Sequence, residues 1–120
     1  MENRRLLAVR ASGKTAFYLP GGKLEPGEGD REALQREVKE ELTVRLVPES
    51  VSRWGSVHAP AHDYPAGTTV DMSCFTADFE GMIAPAAEIE EVAWLQAADA
   101  PRCAPAVKQV IAELQRRREL

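Results

Sequence analysis

Cysteine is scarce in this chain, and long apolar runs and an excess of basic charge are missing. Its two cysteines, Cys74 and Cys103, lie far apart and match no metal-ligand spacing. A disulfide scaffold needs more of them. Two reduced thiols in a cytoplasmic protein are the expectation, with a single bridge as the alternative. No apolar stretch approaches the roughly 20 residues of a spanning helix, so no membrane role is expected. Lys and Arg number 15 against 19 Asp and Glu, for a net charge of −4. Duplex nucleic acid, which needs a basic face, is therefore an unfavourable partner. An anionic small substrate is admissible if a cation stands between it and the acids. Met1-Glu-Asn-Arg-Arg runs into a short apolar segment and then a charge, which is not a signal-peptide pattern.

What is present suits one modest core. The 120 residues, 44% of them hydrophobic, predict a single domain over 1–120. Residues 5–10 are short and apolar and read as a strand, and Ser12-Gly-Lys14 reads as a turn. Residues 15–19 read as a second strand or extended segment. Residues 20–29 hold four glycines and two prolines and must form an ordered loop. A helix is predicted over 30–42, with Gly29 as its cap, Asp30 and Glu32 in its first turn, and Leu34, Val38 and Leu42 as its buried stripe. β-rich runs follow at 44–47, 51–58, 68–79 and 91–95, with a surface loop over 59–67. A final helix should start near Pro105. It carries Val107, Val110, Ile111 and Leu114 on its core face and a basic end over 116–118. The expected class is α/β or α+β, a mixed sheet with two helices.

The chemistry is concentrated in residues 22–44. Glu37, Glu40 and Glu41 stand at i, i+3 and i+4 and project from one helical face, bordering the apolar stripe. Like charges at that spacing destabilise a bare helix, and a divalent cation offsets them. Mg²⁺ prefers hard oxygen and binds through one or two carboxylates plus substrate phosphates. The glycines of the preceding loop let backbone approach a ligand closely, and the loop ends at a helix N-terminus.

Gly22, Glu28, Arg36, Glu37, Val38, Glu40, Glu41 and Val44 resemble, in register, the signature of the Nudix hydrolases (MutT-like). Thr43 departs from it: the family has glycine at that place, in the helix exit. Leu19-Pro-Gly21 and the stretch Glu88-Ile-Glu-Glu-Val-Ala-Trp94 are also similar to the family. The resemblance implies an α/β/α sandwich with a mixed sheet, the signature helix and a C-terminal helix. It implies Mg²⁺ or Mn²⁺ held by Glu37, Glu40, Glu41 and the Gly21 carbonyl, with Arg36 and Glu28 bracing the loop. Water would attack a phosphorus of a nucleoside diphosphate linked to another moiety. Glu37 or a later glutamate would be the general base, in the order Glu88, Glu91, Glu90. A (deoxy)nucleoside triphosphate, oxidised ones included, is the expected substrate. ADP-ribose, dinucleoside polyphosphates and nucleotide sugars are alternatives, as is a nucleotide-sensing module without turnover.

Other features read as structural. Ser12-Gly-Lys-Thr15 ends like a P-loop, but the earlier glycine is replaced by Ala8. His58 and His62 flank the 59–67 loop and are candidate phosphate or base contacts. Phe17, Tyr18 and Trp54 could stack a base, with packing the commoner fate, and Trp94 is expected in the core. Few residues precede the first strand, which suggests an unpaired edge and hence a homodimer.

Overall fold

The computed structural model describes residues 1–2, 4–22, 24–61 and 65–120. Its elements run β1 (Leu6–Ala11), α1 (Asp30–Leu42), β2 (Arg45–Leu46), β3 (Ser52–Pro60), β4 (Thr69–Thr76), β5 (Phe79–Glu80), β6 (Ile89–Leu95) and α2 (Pro105–Arg116). Short 3₁₀ turns sit at Pro48–Ser50 and Ala97–Arg102. Three antiparallel ladders form, β1 with β6, β2 with β5 and β3 with β4.

The layering follows from alternation along the strands. Successive side chains of a strand point to opposite faces. In β1, Leu6 and Ala8 join a core with Phe17, Leu95 and the α2 residues Val107, Val110, Ile111 and Leu114. Val9 joins a second core with Val38 and Leu42 of α1, Val44, Leu46, Val51 and Ile89, and Leu7 packs against it. A strand apolar on both faces is one covered on both faces. The β1–β6 layer therefore lies between α1 and α2, which is the expected sandwich.

Both helices begin and end for local reasons. Gly29 has no side chain to cap α1, but its N–H donates to Glu32 Oε1 at 3.2 Å, and Asp30 adds acid to the positive end of the dipole. At the other end Thr43 takes a left-handed conformation, φ +62°, and its N–H donates to the Lys39 carbonyl. Pro105 starts α2 with its φ preset for a helix, and its face of Val107, Val110, Ile111 and Leu114 is buried as the spacing predicts.

Several boundaries differ from the sequence reading. Residues 15–19 form no regular strand. Tyr18 pairs with Val9 through two 2.8 Å backbone bonds, and Phe17 makes a single parallel bridge to Cys103. The Phe17 N–H donates to the Arg102 carbonyl at 2.9 Å and its carbonyl accepts the Ala104 N–H at 3.0 Å, and the pairing stops there because α2 begins at Pro105. The run 68–79 divides into β4 and β5, because the Asp78 backbone turns to bond Val47 and the Ser50 hydroxyl. Ala59 and Pro60 belong to β3 rather than to the loop. His62, Asp63 and Tyr64 lie outside the described residues.

Burial also departs in places. Leu34 is only partly buried, and Ala33 takes the covered position beside Val38 and Leu42. Trp94 is partly exposed opposite Leu7 of β1, and Leu95 is the fully covered residue of that pair of positions. Phe17 is core, 2% exposed, and Trp54 lies under the Arg117 guanidinium, 4.4 Å from its ring centre. Cys74 and Cys103 are buried free thiols, and burial raises the pKa of both. β1 pairs along its length with β6, and on its other side Tyr18 meets it as a single bridge at Val9.

Candidate active site

Residues 20–22 and 24–29 of the loop lie against the glutamate-bearing face of α1 and are fastened to it at two points. At the first, the Gly21 N–H donates to Glu41 Oε1 at 3.0 Å. At the second, Arg36 grips Glu28 with two hydrogen bonds, Nε to Oε2 at 2.7 Å and Nη2 to Oε1 at 2.9 Å. Such a paired guanidinium–carboxylate contact fixes both distance and orientation. Glu28 Oε1 also accepts the Glu25 N–H at 2.8 Å, which closes the turn. These bonds lower the Glu28 pKa below the ordinary carboxylate range and raise that of Arg36.

Gly22 passes directly over Glu37. A Cβ there would lie 2.7 Å from the Glu37 Cδ and within 3.0 Å of both carboxylate oxygens. Only a residue without a side chain lets the backbone run against this carboxylate.

The three helix glutamates have unequal surroundings. Glu41 is 6% exposed and is the one buried charged residue among those described. Burial pushes its pKa up to about 7, the Gly21 N–H opposes that shift, and the charges of Glu37, Glu88 and Glu40 add to it. The Glu37 side chain is 16% exposed and accepts from Arg36 Nη1 at 2.8 Å. Glu40 is more open and stands 3.5 Å from the same nitrogen.

The later glutamates separate clearly. Glu91 accepts from Arg10 Nε at 3.0 Å, and Glu90 lies 3.4 Å from Arg10 Nη2. Both are held by β1. Glu88 is close enough to act on Glu41. The segment before it is docked on the end of α1, with the Ala84 N–H donating to the Leu42 carbonyl at 3.0 Å and the Ala86 N–H to the Glu41 carbonyl at 2.9 Å. The Glu88 carbonyl in turn accepts the Ser12 N–H at 2.8 Å. Sequence reasoning had no means of seeing the hold of Arg10, because Arg10 and Glu91 are 81 positions apart.

Among the described residues no three carboxylate, cysteine or histidine groups converge as a ready-made metal site. Arg36 draws Glu37 and Glu40 toward itself instead. The donor set nevertheless fits a hard divalent cation. It is all oxygen, and the buried Glu41 carboxylate, whose ionisation the charges of three other glutamates disfavour, accepts the Gly21 N–H. The candidate phosphate or base contact His58 lies elsewhere, paired with Asp71 across the β3–β4 ladder.

A Gly-rich loop locked onto an acidic helix within an α/β/α sandwich defines a class of fold and site. Comparison with known proteins puts a family to it. The NUDIX domain model matches residues 1–114, and the chain belongs to that family. Over 36 residues it is 56% identical to human 8-oxo-dGDP phosphatase NUDT18, a match spanning 30% of this chain and 11% of that protein. A MutT NUDIX hydrolase from Burkholderia pseudomallei has a similar structure, with a TM-score of 0.74 and 24% identity over 94% of this chain and 89% of that one. So does the E. coli dihydroneopterin triphosphate pyrophosphohydrolase, with a TM-score of 0.70 and 24% identity over 94% of this chain and 86% of that one. At these identities the structural likeness speaks for the fold.

Proposed function

We propose that residues 1–120 form one Nudix hydrolase domain that cleaves a phosphoanhydride bond, with a (deoxy)nucleoside triphosphate, oxidised ones included, as substrate and Mg²⁺ as cofactor. The observation that carries this reading is the buried Glu41 carboxylate, tied to the Gly21 N–H and held at a raised pKa by its burial, with the charges of Glu37, Glu88 and Glu40 adding to the shift. Glu37, Glu40, Glu41 and the Gly21 carbonyl would hold the cation. When bound, it would neutralise phosphate oxygens and acidify the attacking water.

The chain's own groups would do the rest. Arg36 and Glu28 keep the loop against α1, so that Gly21 and Gly22 stay over the carboxylates. Glu88 is assigned to take the proton from water, because Glu90 and Glu91 are already paired with Arg10. Glu37 is the second choice for that role. The water oxygen adds to phosphorus, the bridging oxygen leaves with its electron pair, and the water proton goes to the carboxylate.

The nucleotide named in the NUDT18 match supports a nucleotide substrate, and the pyrophosphohydrolase among the structural relatives supports a triphosphate. A sensing module without turnover would be expected to lose one of the glutamates, and all are present. A cytoplasmic location fits two free buried thiols. Among the described residues no helix is long and apolar enough to cross a membrane. Light scattering at tens of micromolar tests homodimerisation.

The direct test is Mg²⁺-dependent release of phosphate or pyrophosphate over a panel of nucleoside triphosphates, 8-oxo-dGTP, ADP-ribose, a dinucleoside tetraphosphate and a nucleotide sugar. Fastest release from a triphosphate is expected. Release from none of them overturns the proposal.

A further inference from the structure

The single positive charge of Arg36 is shared by more carboxylates than it can neutralise. Its Nε and Nη2 donate to Glu28 at 2.7 and 2.9 Å. Its Nη1 donates to Glu37 Oε1 at 2.8 Å. Two further carboxylates approach that same nitrogen, Glu40 Oε2 at 3.5 Å and Glu25 Oε1 at 3.6 Å. Both side chains are more than half exposed, and such pairs contribute little at these distances. The two stand almost equally far from Nη1 but belong to different elements. Glu40 is part of α1, and Glu25 is part of the glycine loop.

Glu25 is brought to Nη1 by its own turn. The Glu25 N–H donates to Glu28 Oε1 at 2.8 Å, and the Glu28 N–H donates to the Glu25 carbonyl at 3.0 Å. Arg36 grips Glu28, so the turn that seats Glu28 also carries the Glu25 carboxylate to the guanidinium. Glu37 has little room to leave, because the Gly22 backbone lies against it. Glu40 is open to solvent. Both are proposed cation ligands. A carboxylate that shares its charge with a divalent cation attracts a guanidinium less. With the cation bound, the pull of α1 on Nη1 is weakened, and Glu25 becomes the stronger claimant.

We infer that Glu25 is a positioning residue for the cation-loaded site, taking over Arg36 Nη1 from the α1 glutamates and so fastening the glycine loop more tightly to the helix. The inference rests on the cation site proposed above. It adds a hand-over of one guanidinium nitrogen from helix to loop. The coupling is reciprocal: a cation that strengthens the Glu25–Arg36 pair is itself bound more tightly by the same factor. For an ion pair at the surface that factor is about fivefold.

Mg²⁺ alone, without nucleotide, is titrated by calorimetry into the full chain, Glu25→Gln, Arg36→Gln and the double variant. Glu25→Gln is expected to weaken Mg²⁺ binding about fivefold when Arg36 is present, and by less than about 1.5-fold when Arg36 is already Gln. Amide exchange gives a second reading. Saturating Mg²⁺ should slow exchange of the Glu28 N–H about fivefold in the parent and leave it nearly unchanged in Glu25→Gln. If Arg36→Gln does not fold, this exchange comparison decides alone.

Equal weakening with and without Arg36, which a charge acting directly on the cation would give, overturns the inference. So does parent-like affinity in Glu25→Gln, or the same slowing of the Glu28 amide in both proteins. In each of these cases Mg²⁺ binding by the parent leaves the proposed function standing. A parent that binds no Mg²⁺ overturns that reading and this inference together.

Discussion

The Gly21 N–H and the Glu41 carboxylate, 20 positions apart, meet at 3.0 Å. This bond is one of two fastenings of the glycine loop to the helix, and it gives the most buried acid among the described residues a donor. A carboxylate so covered, with three other acids acting on it, is costly to keep ionised. The site is therefore least stable in the charge state in which it would bind a cation best.

Glu41→Gln should separate function from stability. Turnover is expected to fall by about 10³-fold, because one carboxylate of the proposed cation site is lost. Metal-free stability should move the other way. The folded pKa of Glu41 is about 7, above its ordinary 4.5. Its contribution is fully present below about pH 4.5 and is lost as pH rises through about 7. At pH 8 the metal-free variant should melt several degrees above the parent, and the gap should shrink toward pH 5. Thermal melts at both pH values, with and without Mg²⁺, check this. Equal melting temperatures at pH 8 would contradict the burial cost.

Gly22→Ala should damage activity with little effect on the fold. The new Cβ would meet only the end of the Glu37 side chain, which can swing away cheaply. Glu37 would then leave its place under the loop. About 10- to 100-fold loss of kcat is expected, with a melting temperature within a few degrees of the parent. A parent-like rate would show that the position of Glu37 under Gly22 has no bearing on turnover.

Arg36→Lys keeps the charge but cannot make the paired contact with Glu28. The loop should loosen, and the Glu25 and Glu28 amides should exchange faster with solvent. Activity is expected to drop by about tenfold or more. Unchanged amide exchange would remove the brace from the account.

Ile111→Ala serves as the contrasting case. Ile111 is 1% exposed in the core under α2, and its truncation should cost about 2–5 kcal/mol of stability. Below the melting transition, kcat for the folded fraction should stay close to the parent value. Denaturant unfolding combined with kinetics tests both halves.

The sequence carried the helices well, since both rest on local signals. Gly29, Asp30 and Glu32 mark the start of α1, and Pro105 with the Val107/Val110/Ile111/Leu114 spacing marks α2. Strand limits were less legible. The break between β4 and β5 depends on Asp78 meeting Val47 and Ser50, a pairing remote in sequence.

The spacing within residues 22–44 determined by itself that Glu37, Glu40 and Glu41 share a helical face behind a glycine loop, because i, i+3 and i+4 is a local property of any helix. Only the tertiary structure decided which of them is buried, since that depends on the loop and the 81–88 segment closing over Glu41. It likewise decided among the later glutamates. Arg10 of β1 claims Glu90 and Glu91 through the β1–β6 register, and the backbone of Ala84 and Ala86, just before Glu88, is hydrogen-bonded to the end of α1. Thr43 shows the same division. Its departure from glycine is visible in the sequence, but the Ala84 N–H reaches the Leu42 carbonyl beside it only when chain 42 positions away folds back onto the helix exit.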